Sequence, residues 1–237
     1  LFKIDYTNSE YSYNRFKKFN PEIIEKYFKV LGKDLLLVSE EINIDQNLYI
    51  PRGFRVIIKP GQKIFLTKGA FIISNSPWKI GGYGKKVIIS GQKNNLGGGL
   101  YIGDTEHLTK IENTEIAYLK GYNINSSSEY LILGSINFHG TNLEIKDVYF
   151  KNIFSEDAIN IFNSKFSMIN ASYKDIFSDA IDVDFSKGNI NNARFININN
   201  DAIDFSGSNA KVYGAYFNNV NDKVISVGEN SKINLSK

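Results

Sequence analysis

Three aspartates in the second half of the chain have the type and spacing that acid–base chemistry on sugars requires. Asp182, Asp184 and Asp204 lie in segments where acidic and apolar residues alternate. Alternation with a period of two is typical of a β-strand, so the three carboxylates share the face opposite the isoleucines. Hydrolysis of a glycosidic bond needs two carboxyl groups about 5 Å or about 6.5–9.5 Å apart, one protonated and one ionised. We therefore consider these three residues candidate catalytic residues.

A second row of acids stands at the beginning of the same segments. Its members are Asp157, Asp179, Asp201 and Asp222. Carboxylate oxygens suit calcium, which makes Asp179 and Asp201 candidate metal ligands and calcium the candidate cofactor. Aspartate at a turn also accepts backbone N–H groups, and a recurrence in every copy favours this structural role, because catalysis needs a residue only once.

Four further residues are candidates for binding a sugar. Asn160 is equivalent to Asp182 in the preceding copy, and Phe162 falls on the same outward face by alternation. An exposed aromatic ring beside acids favours carbohydrate binding, whereas burial under a loop is the alternative. Arg194 is the only arginine of the repeated block, and Lys223 interrupts the Asp-Ala-Ile pattern of the fourth copy. For both, an ordinary surface cation is the alternative.

The acids belong to a repeat with a period near 22 residues. Isoleucines recur at this period at positions Ile159, Ile181, Ile203 and Ile225. Aromatic residues follow a parallel register at Phe150, Tyr173, Phe195 and Phe217. Each copy contains three short alternating segments separated by Asn, Ser, Gly and Asp, which are turn formers. The pattern predicts an all-β fold, a right-handed parallel β-helix whose inward side chains stack between coils.

The repeats resemble those of a known superfamily. The pattern Asn-Asp-Ala-Ile-Asp-Phe-Ser-Gly-Ser at 200–208, followed by Asn-Asp-Lys-Val-Ile-Ser-Val-Gly-Glu at 221–229, is similar to right-handed β-helix repeats of the pectate-lyase-like superfamily, above all those of bacterial surface and exopolysaccharide systems. The resemblance implies a polysaccharide partner and an extracellular, cell-surface or periplasmic location. The Gly-His-Gly and Arg-Ile-Lys motifs of polygalacturonase-like hydrolases are not in the sequence.

That superfamily contains lyases, hydrolases, epimerases and non-enzymatic proteins. The sequence therefore leaves two functions open. One is a polysaccharide-binding or polysaccharide-modifying domain, a lyase or glycoside hydrolase if it is an enzyme. The other is a non-enzymatic scaffold or assembly module of a larger surface protein.

Composition excludes some classes of partner. The 237 residues carry a net charge of +3 with scattered lysines, which argues against nucleic-acid binding. Cysteine is absent, and no apolar run reaches membrane-spanning length. The chain begins at Leu1 without Met, which suggests a part of a longer chain with further domains as partners.

The N-terminal region differs from the repeats. We predict a strap and capping helix over residues 1–34 and the β-helix over 35–237. Asn20 and Pro21 have the residue types of a helix N-cap and first position, and the apolar pattern predicts a helix to Val30 that Gly32 ends. Residues 123–129 break the repeat spacing and are predicted to form a protruding loop.

Overall fold

The computed structural model describes residues 20–122 and 132–237, so the predicted strap over residues 1–19 and the predicted loop at 123–129 lie outside the described residues. The chain forms a β-solenoid of about eight coils with one short helix, and 59% of it is strand. The prediction of an all-β parallel β-helix with a small N-terminal helix is confirmed.

Each complete coil passes through three strand positions, which we call sheets 1 to 3 in their cyclic order along a coil. Sheet 1 is an eight-stranded sheet, and sheets 2 and 3 are joined into one 16-stranded hydrogen-bonded sheet. Sheet 1 has eight parallel strands: β4 (Leu48–Ile50), β7 (Phe71–Ser74), β10 (Gly99–Gly103), β12 (Gly134–His139), β14 (Asp157–Phe162), β17 (Asp179–Asp184), β20 (Ile203–Ser206) and β23 (Ser226–Gly228).

Sheet 2 comprises β1 (Phe28–Leu31), β2 (Asp34–Leu37), β5 (Arg55–Ile58), β8 (Trp78–Ile80), β11 (Thr109–Ala117), β13 (Asn142–Ile153), β15 (Lys165–Ile169), β18 (Lys187–Asn191), β21 (Asn209–Tyr213) and β24 (Lys232–Ser236). Sheet 3 comprises β3 (Glu41–Ile44), β6 (Lys63–Leu66), β9 (Val87–Ser90), β16 (Ser172–Ile176), β19 (Arg194–Ile198) and β22 (Tyr216–Val220). The long strands β11 and β13 pass from sheet 2 into sheet 3.

The N-terminal helix α1 (Pro21–Tyr27) is shorter than predicted. Its start is confirmed, because Asn20 Oδ1 accepts the backbone N–H of Glu22 at 3.0 Å. The predicted continuation to Val30 is wrong, since residues 28–31 pair antiparallel with residues 34–37. A glycine with positive φ at the first position of a two-residue turn is typical of a β-hairpin, and Gly32 has φ 61° there. Hairpin pairing therefore competes with the helix and prevails from Phe28 onward.

The inward side chains stack as the repeat registers predict. Ile159, Ile181 and Ile203 occupy equivalent places in neighbouring sheet 1 strands, and all three are fully buried. The predicted aromatic register forms a stack of nearly parallel rings over Phe150, Tyr173, Phe195 and Phe217, with centroids 4.7, 5.1 and 5.1 Å apart. Side chains of one type therefore repeat along the core from coil to coil.

The corners of the coils are built from residues with positive φ, a conformation that Asn, Asp and Gly adopt most readily. The three corner rows are Gly140, Asn163, Phe185 and Gly207 between sheets 1 and 2; Asp147, Asn170, Asn192 and Gly214 between sheets 2 and 3; and Asn152, Asp175, Asn197 and Asn219 at the end of sheet 3. In the last row the side chains also bond between coils: Asn197 Nδ2 donates to Asp175 Oδ1 at 2.7 Å, and Asn219 Nδ2 donates to Asn197 Oδ1 at 3.0 Å.

One corner differs in length between neighbouring coils. Ile153 pairs with Ile176 and Asp157 pairs with Asp179, so three residues (154–156) connect sheet 3 to sheet 1 in one coil and two (177–178) in the next. Both strands on either side of this corner keep their register.

We expect Asn197→Ala to lower the free energy of unfolding by roughly 1–2 kcal/mol, because alanine is strained at φ 56° and the two inter-coil bonds are lost. Asn197→Gly loses the same bonds without the strain, so it should cost less. Urea unfolding of both variants measures the difference. Asn189→Ala, which removes a side-chain bond to Ser167 from an ordinary strand, is the control. Equal losses for alanine and glycine at position 197 would show that backbone strain plays no part.

Candidate functional site

The outward face of sheet 1 brings the predicted acids together. Asn160, Asp182 and Asp204 are register partners in three successive strands, and Ser226 follows in the fourth. Asp184 lies two residues beyond Asp182, next to Phe162 of the preceding coil. The prediction that these residues share one face of neighbouring strands is confirmed.

A chain of side-chain hydrogen bonds ends on one of the candidate catalytic acids. Asn160 Nδ2 donates to Asp182 Oδ2 at 2.8 Å, and Asn160 Oδ1 lies 2.9 Å from His139 Nε2. Since an amide oxygen only accepts, Nε2 of His139 carries the proton of this bond. Asn160 is almost completely buried, so its amide is fixed and in turn fixes the carboxylate of Asp182.

The electrostatics of the acids favour a protonated carboxyl group near neutral pH. Burial, with the neighbouring Asp184 and Asp204 carboxylates, raises the pKa of Asp182 to about 7. Burial and the Asp204 carboxylate also raise the pKa of Asp184. A carboxyl group that still holds its proton at pH 7 can act as a general acid.

Asp157 lies below this surface and is 2% exposed. Burial, and then the charges of Asp182 and Asp179, raise the pKa of Asp157 to about 9. The amide of Asn160 lies 3.4 Å from its Oδ2. Asp157 is therefore uncharged at neutral pH, which lets a carboxyl group occupy a buried place beside two other acids.

The raised pKa of Asp157 makes stability depend on pH. Its folded-state pKa exceeds that of an unfolded chain, so the folded state binds the extra proton between about pH 4 and pH 9. The free energy of unfolding should therefore fall as pH rises through this window. Asp157→Asn should reduce the fall, whereas the exposed Asp175→Asn should leave it unchanged. Melting temperatures from pH 5 to pH 9 test this, and an identical slope in the wild type and Asp157→Asn would contradict it.

Two members of the second acid row, Asp179 and Asp201, make the predicted corner bonds, whereas the backbone N–H of Asp179 is bonded to the carbonyl of Glu156 and not to Asp157. Asp179 Oδ1 accepts the backbone N–H of Asp201 at 2.8 Å, and Asp201 Oδ1 accepts that of Lys223 at 2.8 Å. Lys223, not Asp222, therefore holds the equivalent place in the next coil, and the predicted membership of Asp222 in this row is wrong. The reason is the constant strand register, which pairs Asp204 with Ser226 and leaves Asp222 one residue ahead.

The prediction of a metal site stays a prediction. Among residues 20–122 and 132–237, no group of three or more His, Cys, Asp or Glu side chains is arranged to hold a metal ion. Asp179 and Asp201 each use Oδ1 for a corner bond.

The predicted binding residues fall in different places. Phe162 lies beside the acids, with its ring centroid 5.3 Å from that of His139. Lys223 lies at the edge of the acid face, where its Nζ is 3.6 Å from Asp201 Oδ1. Arg194 belongs to sheet 3, and its guanidinium stacks 4.6 Å from the Tyr216 ring centroid. The structure therefore does not bring Arg194 together with the acids.

One residue of this face, His139, was missed by the sequence analysis. The His139 ring lies 5.0 Å from that of Tyr101 and bonds to Asn160. Burial lowers the pKa of His139, which keeps its ring neutral at pH 7. A signal was present, because Ser-Ile-Asn-Phe-His at 135–139 has the same pattern as Ala-Ile-Asn-Ile-Phe at 158–162.

Exposed aromatic side chains stand at both ends of the sheet 1 strands. Phe154 and Phe177 lie at the corner before β14 and β17, and they are 45% and 61% exposed. Phe185 follows β17 and is 59% exposed. The acids thus lie between apolar rings that solvent reaches, an arrangement that suits the alternating polar edges and apolar faces of a sugar chain.

No protein-family model matches this chain, and no curated protein is similar to it. In the described part of the chain, no helix is long and apolar enough to cross a membrane.

Proposed function

We propose that this protein is an extracytoplasmic β-helix domain of the pectate-lyase-like type that binds a polysaccharide across the outward face of sheet 1 and hydrolyses it there. The observation that supports this most is Asp182, whose carboxyl group is held by Asn160 and whose pKa is about 7. Such domains act outside the cytoplasm, at the cell surface, in the periplasm or in the medium.

In the proposed reaction, Asp182 gives its proton to the glycosidic oxygen as the bond to the anomeric carbon breaks. If Asp204 is the second carboxylate, it attacks that carbon, and water activated by the now ionised Asp182 then displaces it, which returns the proton to Asp182. If Asp184 is the second carboxylate, it takes a proton from the water that attacks the carbon directly. Asp204 is one strand away, about 5 Å, which matches the separation of a retaining enzyme. Asp184 is two residues along the strand, about 6.5–7 Å, which matches an inverting enzyme. The stereochemistry of the product distinguishes these two partners.

The experiment that tests the proposal is incubation with neutral and acidic polysaccharides, with and without calcium. New reducing ends without unsaturated sugars are the expected result. Unsaturated products would indicate that the same face catalyses a lyase reaction instead of hydrolysis. A calcium requirement would support Asp179 and Asp201 as metal ligands. An absence of products from every polymer, together with an absence of binding, would refute the proposal.

A non-enzymatic scaffold is the second candidate function. It is favoured by the corner bonds that engage Asp179 and Asp201, and by the exposed apolar side chains of the last coil, Val227 and Leu235. Under this hypothesis the regular stack positions neighbouring domains, and the acids contribute no chemistry. Pull-down of partner domains without any glycan binding would support it.

A further inference from the structure

Phe185 stands in a backbone conformation that phenylalanine rarely adopts. It has φ 48° in the corner row whose other members are Gly140, Asn163 and Gly207. A bulky residue at positive φ is a genuine outlier, and such outliers concentrate at binding and catalytic sites. Its ring is nevertheless 59% exposed, so core packing does not explain the choice of residue.

The neighbouring coil leaves room for this ring. A Cβ atom at Gly207 would lie 2.6 Å from Cδ1 of Phe185, so glycine is the residue that lets the ring lie over the next corner. On the other side the Phe185 ring meets the Phe162 ring edge to face at 5.7 Å. Phe185 is thus a supported, solvent-exposed platform that adjoins the acid face of sheet 1.

An open cavity of about 380 Å³ lies beside this platform, at the corner between sheets 1 and 2. Besides Phe185, the residues that line it include Asn142, Asn163, Lys165 and Lys187. Lys165 and Lys187 are register partners in neighbouring strands, so their backbones lie about 5 Å apart and both side chains line the same cavity. No acidic residue lines this cavity.

The two lysines are not neutralised by the protein. Throughout the described ranges, no carboxylate lies within ion-pair distance of either ammonium group. Like charges on neighbouring strands repel, so an anionic group bound between the two lysines would relieve this repulsion. The nearby Lys110, by contrast, pairs with Glu144 at 2.7 Å.

We propose that this corner cavity is a second binding subsite, which holds an anionic sugar residue of the bound glycan. The sugar ring lies on Phe185, and its carboxylate or sulfate group binds Lys165 and Lys187, with the amides of Asn142 and Asn163 within the same cavity. This inference rests on the proposed function and assigns its substrate class, a polysaccharide with anionic substituents. Asp184 and Lys187 are three residues apart, at most about 10 Å of chain, so one oligosaccharide passes from the acids to the lysines.

The test is affinity electrophoresis of the whole chain in gels that contain polygalacturonate, dextran sulfate or neutral dextran. Retention by at least one anionic polymer and not by dextran is expected, and the two anionic gels separate a carboxylate ligand from a sulfate ligand. Lys165→Gln with Lys187→Gln should weaken that retention at least about tenfold, because each ammonium contributes a charge-assisted hydrogen bond. Phe185→Asn, the residue type that the preceding coil has at this corner, should weaken it as well.

A charge-matched control distinguishes binding at this cavity from non-specific electrostatic attraction to the whole surface. Lys174→Gln with Lys211→Gln removes two exposed charges that do not line the cavity. An equal loss of retention in this control, or an absence of retention in the wild type at low salt, would overturn the proposal. Cleavage is assayed in the same samples, so lysine-dependent retention without cleavage refutes only the hydrolase function. Cleavage without lysine-dependent retention refutes only the corner subsite.

Discussion

Asp182→Asn is expected to reduce polysaccharide cleavage by about 10²–10⁴-fold, because the amide cannot give a proton to the leaving oxygen. In the wild type, activity should also fall as pH rises through about 7, where Asp182 loses its proton. The measurement is the rate of reducing-end release from pH 5 to pH 9 in both proteins. The residual activity of the variant should lose this descending limb.

Two comparisons distinguish a loss of catalysis in Asp182→Asn from a loss of folding. Ionisation of Asp182 is unfavourable in the folded protein, so Asp182→Asn should be at least as stable as the wild type at pH 8. Asp175→Asn makes the same chemical change on an exposed carboxylate at the end of sheet 3 and should retain full activity. A wild-type rate in Asp182→Asn would exclude Asp182 as the proton donor.

Phe195→Ala is expected to lower the free energy of unfolding by about 3–5 kcal/mol. Its ring is fully buried and stacks on Tyr173 and Phe217, with both centroid separations 5.1 Å. Alanine would leave a cavity between two rings, in addition to the loss of two aromatic contacts. Urea unfolding followed by circular dichroism measures the change.

Phe177→Ala removes the same side chain from a corner where it is 61% exposed, and it should change the free energy of unfolding by no more than about 0.5 kcal/mol. The comparison separates the effect of burial in the stack on the free energy of unfolding from the effect of removing a phenyl group at an exposed position. Similar effects for the two variants would show that the stacked rings are not a main source of stability.

The core and the acid face could be predicted from the sequence because a solenoid repeats its contacts. Once the isoleucines were aligned, the same alignment placed Asp182 beside Asp204 and Asn160. Alternation then decided which side chains point outward. His139 was missed because it directly follows the break in repeat spacing at 123–129, and because it lies 23 residues before the equivalent Phe162 whereas the later coils repeat at 22.

Other features depend on contacts that exist only in the folded chain, and a single sequence does not reveal them. Residues 28–31 have apolar spacing that a helix or a strand accommodates, and pairing with the following segment decides for the strand. The pKa of Asp182 depends on burial by the surrounding face, which no spacing expresses. The corner of Phe185 was missed because positive φ is expected of Asn and Gly, so the sequence gives no reason to look for it at a phenylalanine.

The corner that differs by one residue between coils has a consequence for how such a chain changes in length over evolution. Residues 154–156 and 177–178 connect strands with unchanged register, so a single-codon insertion there is silent for the core. The same insertion inside β17 would exchange its inward and outward side chains, placing the carboxylates in the interior. Insertions of one residue are therefore expected to be tolerated at this corner and selected against in the strands. A duplication of one whole period would lengthen the acid surface without disturbing any ladder.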